Sequence, residues 1–451
     1  MSVRILLFPT VFLLALFCCD RSVLAQESAG ATDNGAQMLI PPPVSGMDYS
    51  TALPAELHAQ QNTLSFEMGV GSGYIHNLRA GTSQQAINDT TVKWHSSAMY
   101  SRSTTRSKQR FTYAPDFEIF QPTSTLNHLN QNAVADLRFR LSPHTMLMVS
   151  EQVTRTEAAF GVDSAQTAIA GSTDSITPGV VAPYAPQIAN HTSAAYAWQT
   201  SRNAMLSVSG LLHTLHFTDT SQAVGFLNSS HRAGSASYTQ RISGIQYAGM
   251  IGEYARIVAT PPAGSKSLEP SDIRMASGYG FYTVYPQPGL TLSLMGGVQH
   301  YNLSAPGEGS TRAWIPAGMA SLGWQSRHTS FAASGSHLVT SGYGTAGAYE
   351  TSGGAAGSRW HLVRNWTLSL DGSYSTISRA GSVTLAGSLR GGHTASGTFS
   401  ISHALSNQLD LTAGYAHMRQ TYSGTTVLAA NPESDQIQFS LTYHTARPLG
   451  R

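Results

Sequence analysis

The sequence predicts an all-β chain wound into an antiparallel transmembrane β-barrel of about 18 strands, with 16 as the alternative count. Three observations predict it. Runs of about ten residues between positions 63 and 446 alternate apolar and polar side chains, the period that sends successive side chains to opposite faces of a strand. The joints between runs are alternately short and long, as in barrels that keep tight turns on one side of a membrane and loops on the other. Charged residues make up only 11% of the 451 residues, against about 25% in soluble domains.

The first element is residues 1–25, MSVRILLFPTVFLLALFCCDRSVLA. Arg4 gives a positive start, Ile5 to Phe17 an apolar stretch, and Val23-Leu24-Ala25 a small-residue cleavage site, together a secretory signal peptide. A lipid anchor on Cys18 or Cys19 is the weaker alternative, because Phe17 and Cys18 stand where a small residue should precede the modified one. Both cysteines fall in this leader. The remaining 451 − 25 = 426 residues therefore offer no disulfide, thiolate ligand or cysteine nucleophile. Without Arg4, Arg21 and Asp20 the count is 24 basic and 23 acidic residues, which gives no ground for nucleic-acid binding. No later segment is apolar enough for a membrane helix.

Residues 26–62, with Pro41 to Pro43, have no periodicity and read as a disordered or semi-extended periplasmic lead. The barrel follows over residues 63–446. Its first strands lie near Leu64–Ile75, Thr91–Ser101 and Gln109–Ala114. Short joints then fall at Ser142–His144, Ser201–Asn203, Arg241–Gly244, Pro286–Gly289, Ser326–His328, Val363–Asn365 and Ser406–Asn407. Longer irregular segments separate these pairs: Thr156–Asn190, Thr218–His231, Ala259–Asp272, Asn302–Arg312, Ser341–Glu350, Ser378–Leu389 and Ser423–Ser434. The short set is assigned to periplasmic turns and the long set to extracellular loops. The last strand is expected at Gln436–Ala446, before a short tail over 447–451. Pro115 and Pro122 blur the Tyr100–Leu129 region, which is why 16 strands remains the alternative.

Each strand sets one face against another. Leu409, Leu411, Ala413, Tyr415 and His417 oppose Asp410, Thr412, Gly414, Ala416 and Met418. Trp366, Leu368, Leu370 and Tyr374 oppose Thr367, Ser369, Asp371, Ser373 and Ser375. Ile273, Met275, Tyr279, Phe281 and Tyr285 share a face, as do Leu290, Leu292, Leu294 and Val298. A soluble sandwich would charge its polar face and guard its edges with Lys and Glu. Here that face is mostly Ser, Thr, Gly and Gln. Aromatic residues fall toward strand ends, at Trp94, Tyr100, Tyr285, Trp324, Trp366, Tyr415, Tyr422 and Tyr443, as in an interfacial girdle. The apolar face is therefore expected to meet lipid.

This architecture resembles the porin-like outer-membrane β-barrels of bacteria over about Thr63 to Ala446. Phe439, Leu441 and Tyr443 resemble the terminal aromatic strand of such barrels, although the chain runs on through TARPLGR to Arg451. The resemblance implies a bacterial outer-membrane location, with outer-membrane lipid and the assembly machinery as partners. No plug-like domain precedes the barrel, which argues against an energised transporter.

Local catalytic signatures are missing: there is no G-x-S-x-G, H-E-x-x-H or P-loop. His213 and His216 stand three apart, on opposite faces of a strand, and so do not form a metal pair. No enzyme activity, metal or cofactor is expected. One charged constellation stands out on the polar register of the first strands: Glu67, Lys93, Arg110, Asp136, Arg138 and Arg140. These are candidate pore-lining residues. They either brace the wall as ion pairs or filter solutes. The Thr156–Asn190 segment either folds into the bore or stands exposed. The function expected is a passive channel for small solutes, with homo-oligomerisation left open. The alternative is a non-conducting surface or polysaccharide-export accessory protein anchored by its barrel. A lipid-modifying enzyme ranks behind both.

Overall fold

The computed structural model describes residues 62–77, 88–156, 186–219, 226–262, 269–305, 309–340, 347–363, 365–381, 390–423 and 433–448. The expected leader, the lead through residue 61 and the core of the 156–190 segment lie outside the described residues.

Eighteen strands follow one another: β1 (Thr63–His76), β2 (Asp89–Ser103), β3 (Ser107–Phe120), β4 (His128–Ser142), β5 (Thr145–Thr156) and β6 (Gln187–Ser201). Then come β7 (Ala204–Phe217), β8 (Asn228–Ser243), β9 (Gln246–Thr260), β10 (Ser271–Gln287), β11 (Leu290–Ala305) and β12 (Gly309–Gln325). The last six are β13 (Thr329–Thr340), β14 (Tyr349–Val363), β15 (Trp366–Arg379), β16 (Gly391–Ala404), β17 (Leu409–Ser423) and β18 (Glu433–Pro448). Each pairs antiparallel with its sequence neighbours, and β1 also pairs with β18, so the sheet closes. A closed barrel leaves no edge with unpaired backbone groups, which is what a lipid environment demands.

The count is 18 because Pro115 does not end its strand. It sits inside β3, where the β2–β3 ladder lapses between the His95–Asp116 and Ala98–Tyr113 pairs. A residue without an N–H fits where no ladder bond is made. Pro122 falls beyond β3, in the joint before a short 3-10 turn at Ser124–Leu126.

The joints segregate as the sequence implies. At one end they span two to four residues, from 143–144 to 405–408. At the other they span three to thirty, the longest between Thr156 and Gln187. One long joint is corrected: Asn302–Arg312 is not a loop, since β11 and β12 continue to Ala305 and Gly309 and close over three residues. β18 also runs two residues further than expected, to Pro448.

Faces follow from the exposed apolar residues and the register. On β1, Phe66, Met68, Val70 and Tyr74 are exposed, so even positions look out and Glu67 looks in. On β15, Leu370 and Tyr374 are exposed, and Thr367 to Ser375 line the inside by alternation. On β17, Leu411 and Tyr415 look outward, whereas Ala416 and Met418 are fully buried inside.

β10 reverses the expected sense. Its register with β11 sets Tyr282 beside Leu294, both exposed on the outer face. Ile273, Met275, Tyr279 and Phe281 therefore look into the lumen, and Ile273, Met275 and Phe281 are buried there. Gly249 makes room for them: a Cβ at that position would strike the Phe281 ring. Two expected girdle residues are corrected on the same ground. Tyr285 packs edge-on against the inward Tyr247, and Tyr422 is 5% exposed inside the barrel.

These inward apolar residues pack across part of the loop-side mouth. β12 pairs with β13 only from Gly318 to Gln325, and beyond that β13 turns inward. The Gln299 side chain of β11 then reaches the Val339 backbone, accepting from its N–H at 2.8 Å and donating to its carbonyl. Val339, Ala348 and Ala380 pack against Ile257, Ile273, Met275, Tyr301, Leu303 and Ile315. Gly381, past the end of β15, lies so near Tyr301 and Thr311 that a Cβ would clash with both. A second cluster joins Leu215, Phe217 and Phe226 to Tyr349, Ile377 and Tyr422, which brings β7 against β14, β15 and β17 across the bore. The lumen face, expected to be mostly Ser, Thr, Gly and Gln, is apolar at the mouth.

Candidate channel lining

The six candidate residues all fall on the inward register. Glu67 faces Ser97 and Gly71 faces Lys93 on β2. Ser101 faces Arg110 on β3, and Arg110 faces Asp136 on β4. Arg138 and Arg140 follow at alternate positions of β4, with Arg138 opposite Lys108. Alternation keeps all six on the side opposite the exposed Trp94, Phe117 and Leu129.

They do not form one cluster. Arg110 donates from two guanidinium nitrogens to Asp136 Oδ2, at 3.0 and 2.6 Å, and Ser150 donates to the other carboxylate oxygen at 2.7 Å. Such a fork holds both charges in fixed geometry. Lys93 is held by Asp116 at 2.9 Å. His128 is buried beside Glu118, with 3.4 Å between Nε2 and a carboxylate oxygen, and its Nδ1 lies 2.9 Å from the Leu126 carbonyl. Glu67 lies 3.8 Å from His95. Arg138 and Arg140 lie further along β4, near the short joint that follows Ser142, and Arg140 is exposed.

Sequence reasoning missed Lys108, Asp116, Glu118 and His128. A strand read as Gln109–Ala114 leaves out Lys108 at its start and, because Pro115 reads as its end, gives residues 116–120 no face; His128 falls in the same blurred stretch before Leu129. With them and the buried Asp89 included, the inward charges on β1 to β4 are five basic (Lys93, Lys108, Arg110, Arg138, Arg140) against five acidic (Glu67, Asp89, Asp116, Glu118, Asp136). The four-to-two surplus of the six candidates disappears. What remains is positional: acids and bases alternate through the wall, and the basic residues Lys108, Arg138 and Arg140 gather near the short-turn end.

The remaining lining divides by wall. From β15 to β18 the inward side chains below the mouth are mostly hydroxyls and amides, with Asp371 and the Asp410–His444 pair among them; Ser373 bonds to Ser396 at 2.7 Å and Ser402 to Thr412 at 3.0 Å. On β6 to β8, three imidazoles stand in one row: His191 faces His213, which faces His231. The first two rings lie 6.0 Å apart. His216 points outward, as the spacing of the HTLH motif requires. No local pattern marks this row, because it depends on the pairing of three strands.

Among the described residues, His417, Glu433 and Asp435 bring donor atoms within 4.8 Å of one another. They face outward at the loop-side end, and His417 bonds to Asp435 at 2.9 Å while Tyr415 donates to the same oxygen at 2.6 Å. Hydrogen bonding accounts for this geometry without a metal.

No family model and no curated protein match the chain. Solved structures do resemble it. The outer membrane protein opdK of Pseudomonas aeruginosa is 10% identical over 85% of this chain and 99% of its own, with a TM-score of 0.40. The FrpB iron transporter of Neisseria meningitidis (F5-1 variant) is 10% identical over 85% and 82%, with a TM-score of 0.42. Pseudomonas aeruginosa OccK2 (OpdF), in complex with glucuronate, is 9% identical over 85% and 98%, with a TM-score of 0.41. Such distant likeness carries no solute with it. The fold stands on its own features: eighteen antiparallel strands, a closed sheet, an apolar outer face and segregated joints. It is that of a porin-like outer-membrane β-barrel.

Proposed function

We propose that this barrel is a passive channel for small solutes across the outer membrane, narrowed at its loop-side mouth by apolar packing. One observation carries the reading. Away from the apolar mouth, the inward wall from β15 through β18 and on to β5 is dominated by hydroxyl, amide and charged groups. Polar groups sealed in a dry interior would each cost about 1–3 kcal/mol if unsatisfied, so this wall is built to meet water. A barrel of this strand number is wide enough to hold it. The reading needs no covalent chemistry and no cofactor.

The second reading is a non-conducting anchor that presents its loops, and the two apolar clusters across the mouth favour it. Single-channel recording on the refolded protein separates the two. Stepwise currents, small for an 18-strand barrel, support the channel. A sealed bilayer at all voltages would leave the anchor reading standing.

A further inference from the structure

The three inward imidazoles of β6, β7 and β8 adjoin both apolar clusters of the mouth. His213 stands two residues before Leu215 of one cluster, and His231 is paired with Ile257 of the other. On its far side the row ends at Gln152 of β5, which faces His191. The inward neighbours two positions along each strand are Ala189 and Ser193, Leu211 and Leu215, Ser229 and Ala233. None of these is charged, so imidazole nitrogens dominate what the row offers.

Residues directly opposite on antiparallel strands hold their Cβ atoms about 4.5–5.5 Å apart. The inner face of a closed barrel is concave, so inward side chains on neighbouring strands converge. The His191 and His213 ring centres lie 6.0 Å apart, with their planes inclined by 48°. Two imidazoles that share one metal, each bonded at about 2.0–2.1 Å in tetrahedral geometry, bring their ring centres to about 5 Å. Rotation of the rings about χ1 and χ2 covers that difference with the backbone fixed. His231 stands on the other side of His213, and its Nε2 is buried without a hydrogen-bond partner among the described residues. A buried ring nitrogen calls for a partner, and a metal ion is one that uses its lone pair. An ion held over His213 would be one strand spacing, about 4.8 Å, to the side of each outer histidine. That is within the reach of an imidazole.

Neutral imidazole suits zinc, copper and nickel, whereas carboxylate and carbonyl oxygens suit magnesium and calcium. Three imidazoles on one wall also leave a coordination position open toward the bore for water. We infer that His191, His213 and His231 form a binding site for a divalent transition-metal ion of the zinc, copper or nickel class. The three rings supply the protein ligands, and water completes the shell. The site does not depend on whether the barrel conducts.

The test titrates the full chain, refolded in detergent without an affinity tag, with Zn²⁺ by calorimetry. One tightly bound Zn²⁺ per chain is expected, undisturbed by excess Mg²⁺. His213→Asn removes the central ligand and should weaken binding by more than about 100-fold, since changes to outer-shell partners alone cost about 10- to 100-fold. His417→Gln alters the outward group with Glu433 and Asp435 and should leave the tight site unchanged. Undiminished binding by a folded His213→Asn chain overturns the inference, as does the absence of saturable binding or equal competition by Mg²⁺. If His213→Asn does not fold, or if both variants lose binding, electron paramagnetic resonance of the unaltered chain with one equivalent of Cu²⁺ decides. Hyperfine splitting from three nitrogens supports the row, and fewer than three overturns it.

Discussion

β15 and β10 carry the same kind of alternation and turn it in opposite directions. On β15, Leu370 and Tyr374 meet lipid while Ser369, Asp371 and Ser373 line the bore. On β10, Tyr282 is the large outward residue, beside Ala276, Gly278 and Gly280, whereas Ile273, Met275 and Phe281 are buried within. Lipid accepts small residues as readily as large ones, so the outer face of β10 is free to be slight. Its inner face has a protein partner, the inward-turned ends of β13 and β15. A period of two reports that a strand has two faces. Which face meets lipid is decided by what lies across the bore, and that depends on residues about a hundred positions away.

This difference explains what was legible in the sequence and what was not. The closed 18-strand count, the loop rhythm and the faces of β1, β15 and β17 follow from local alternation and turn residues. The six inward charges could be placed because their strands alternate cleanly. Their partners Asp116 and Glu118 could not, because Pro115 interrupts the pattern. The apolar mouth left no local trace at all. Val339, Ala348 and Ala380 look like ordinary residues at strand ends until β13 departs from β12 at Gly318.

The sharpest test of the contrast is to hollow out the mouth. Tyr422→Ala and Ile377→Ala each remove a side chain from the cluster that joins β7 to β14, β15 and β17. Each should cost about 2–5 kcal/mol in urea unfolding from lipid vesicles, the tyrosine toward the upper end. Single-channel conductance should rise in both. Greater loss of stability with no change in current would mean that the clusters brace the wall without narrowing the path.

A charge scan compares the two walls directly. Arginine at Leu368 or Leu411 should destabilise the barrel by about 2–4 kcal/mol, while arginine at Ser369 or Thr412 should be tolerated. On β10 both faces should resist: arginine at Tyr282 meets lipid, and arginine at Met275 enters the buried cluster. Heat-modifiable mobility on gels provides the readout. Tolerance of Met275→Arg would return β10 to the ordinary pattern and remove the contrast.

The smallest effect expected is on selectivity, and it follows from how the charged wall divides. Lys93 and Arg110 are held by Asp116 and Asp136, so neutralising either pair together should leave the permeating ions indifferent. Arg138 and Arg140, with Lys108 opposite, lie toward the short-turn end, where the overall balance of the wall tips to positive. Screening at physiological salt acts over about 8 Å, so Asp371 and Asp410 on distant strands would do little to offset this group. A weak anion preference is expected, fading as salt is raised. Changing Arg138 and Arg140 together to Glu should move the reversal potential toward cations in a low-salt gradient, while Lys93→Met with Asp116→Asn should not. If both double variants shift it equally, the paired layer filters solutes as well. If neither does, the whole wall is bracing and the selective step lies elsewhere in the bore.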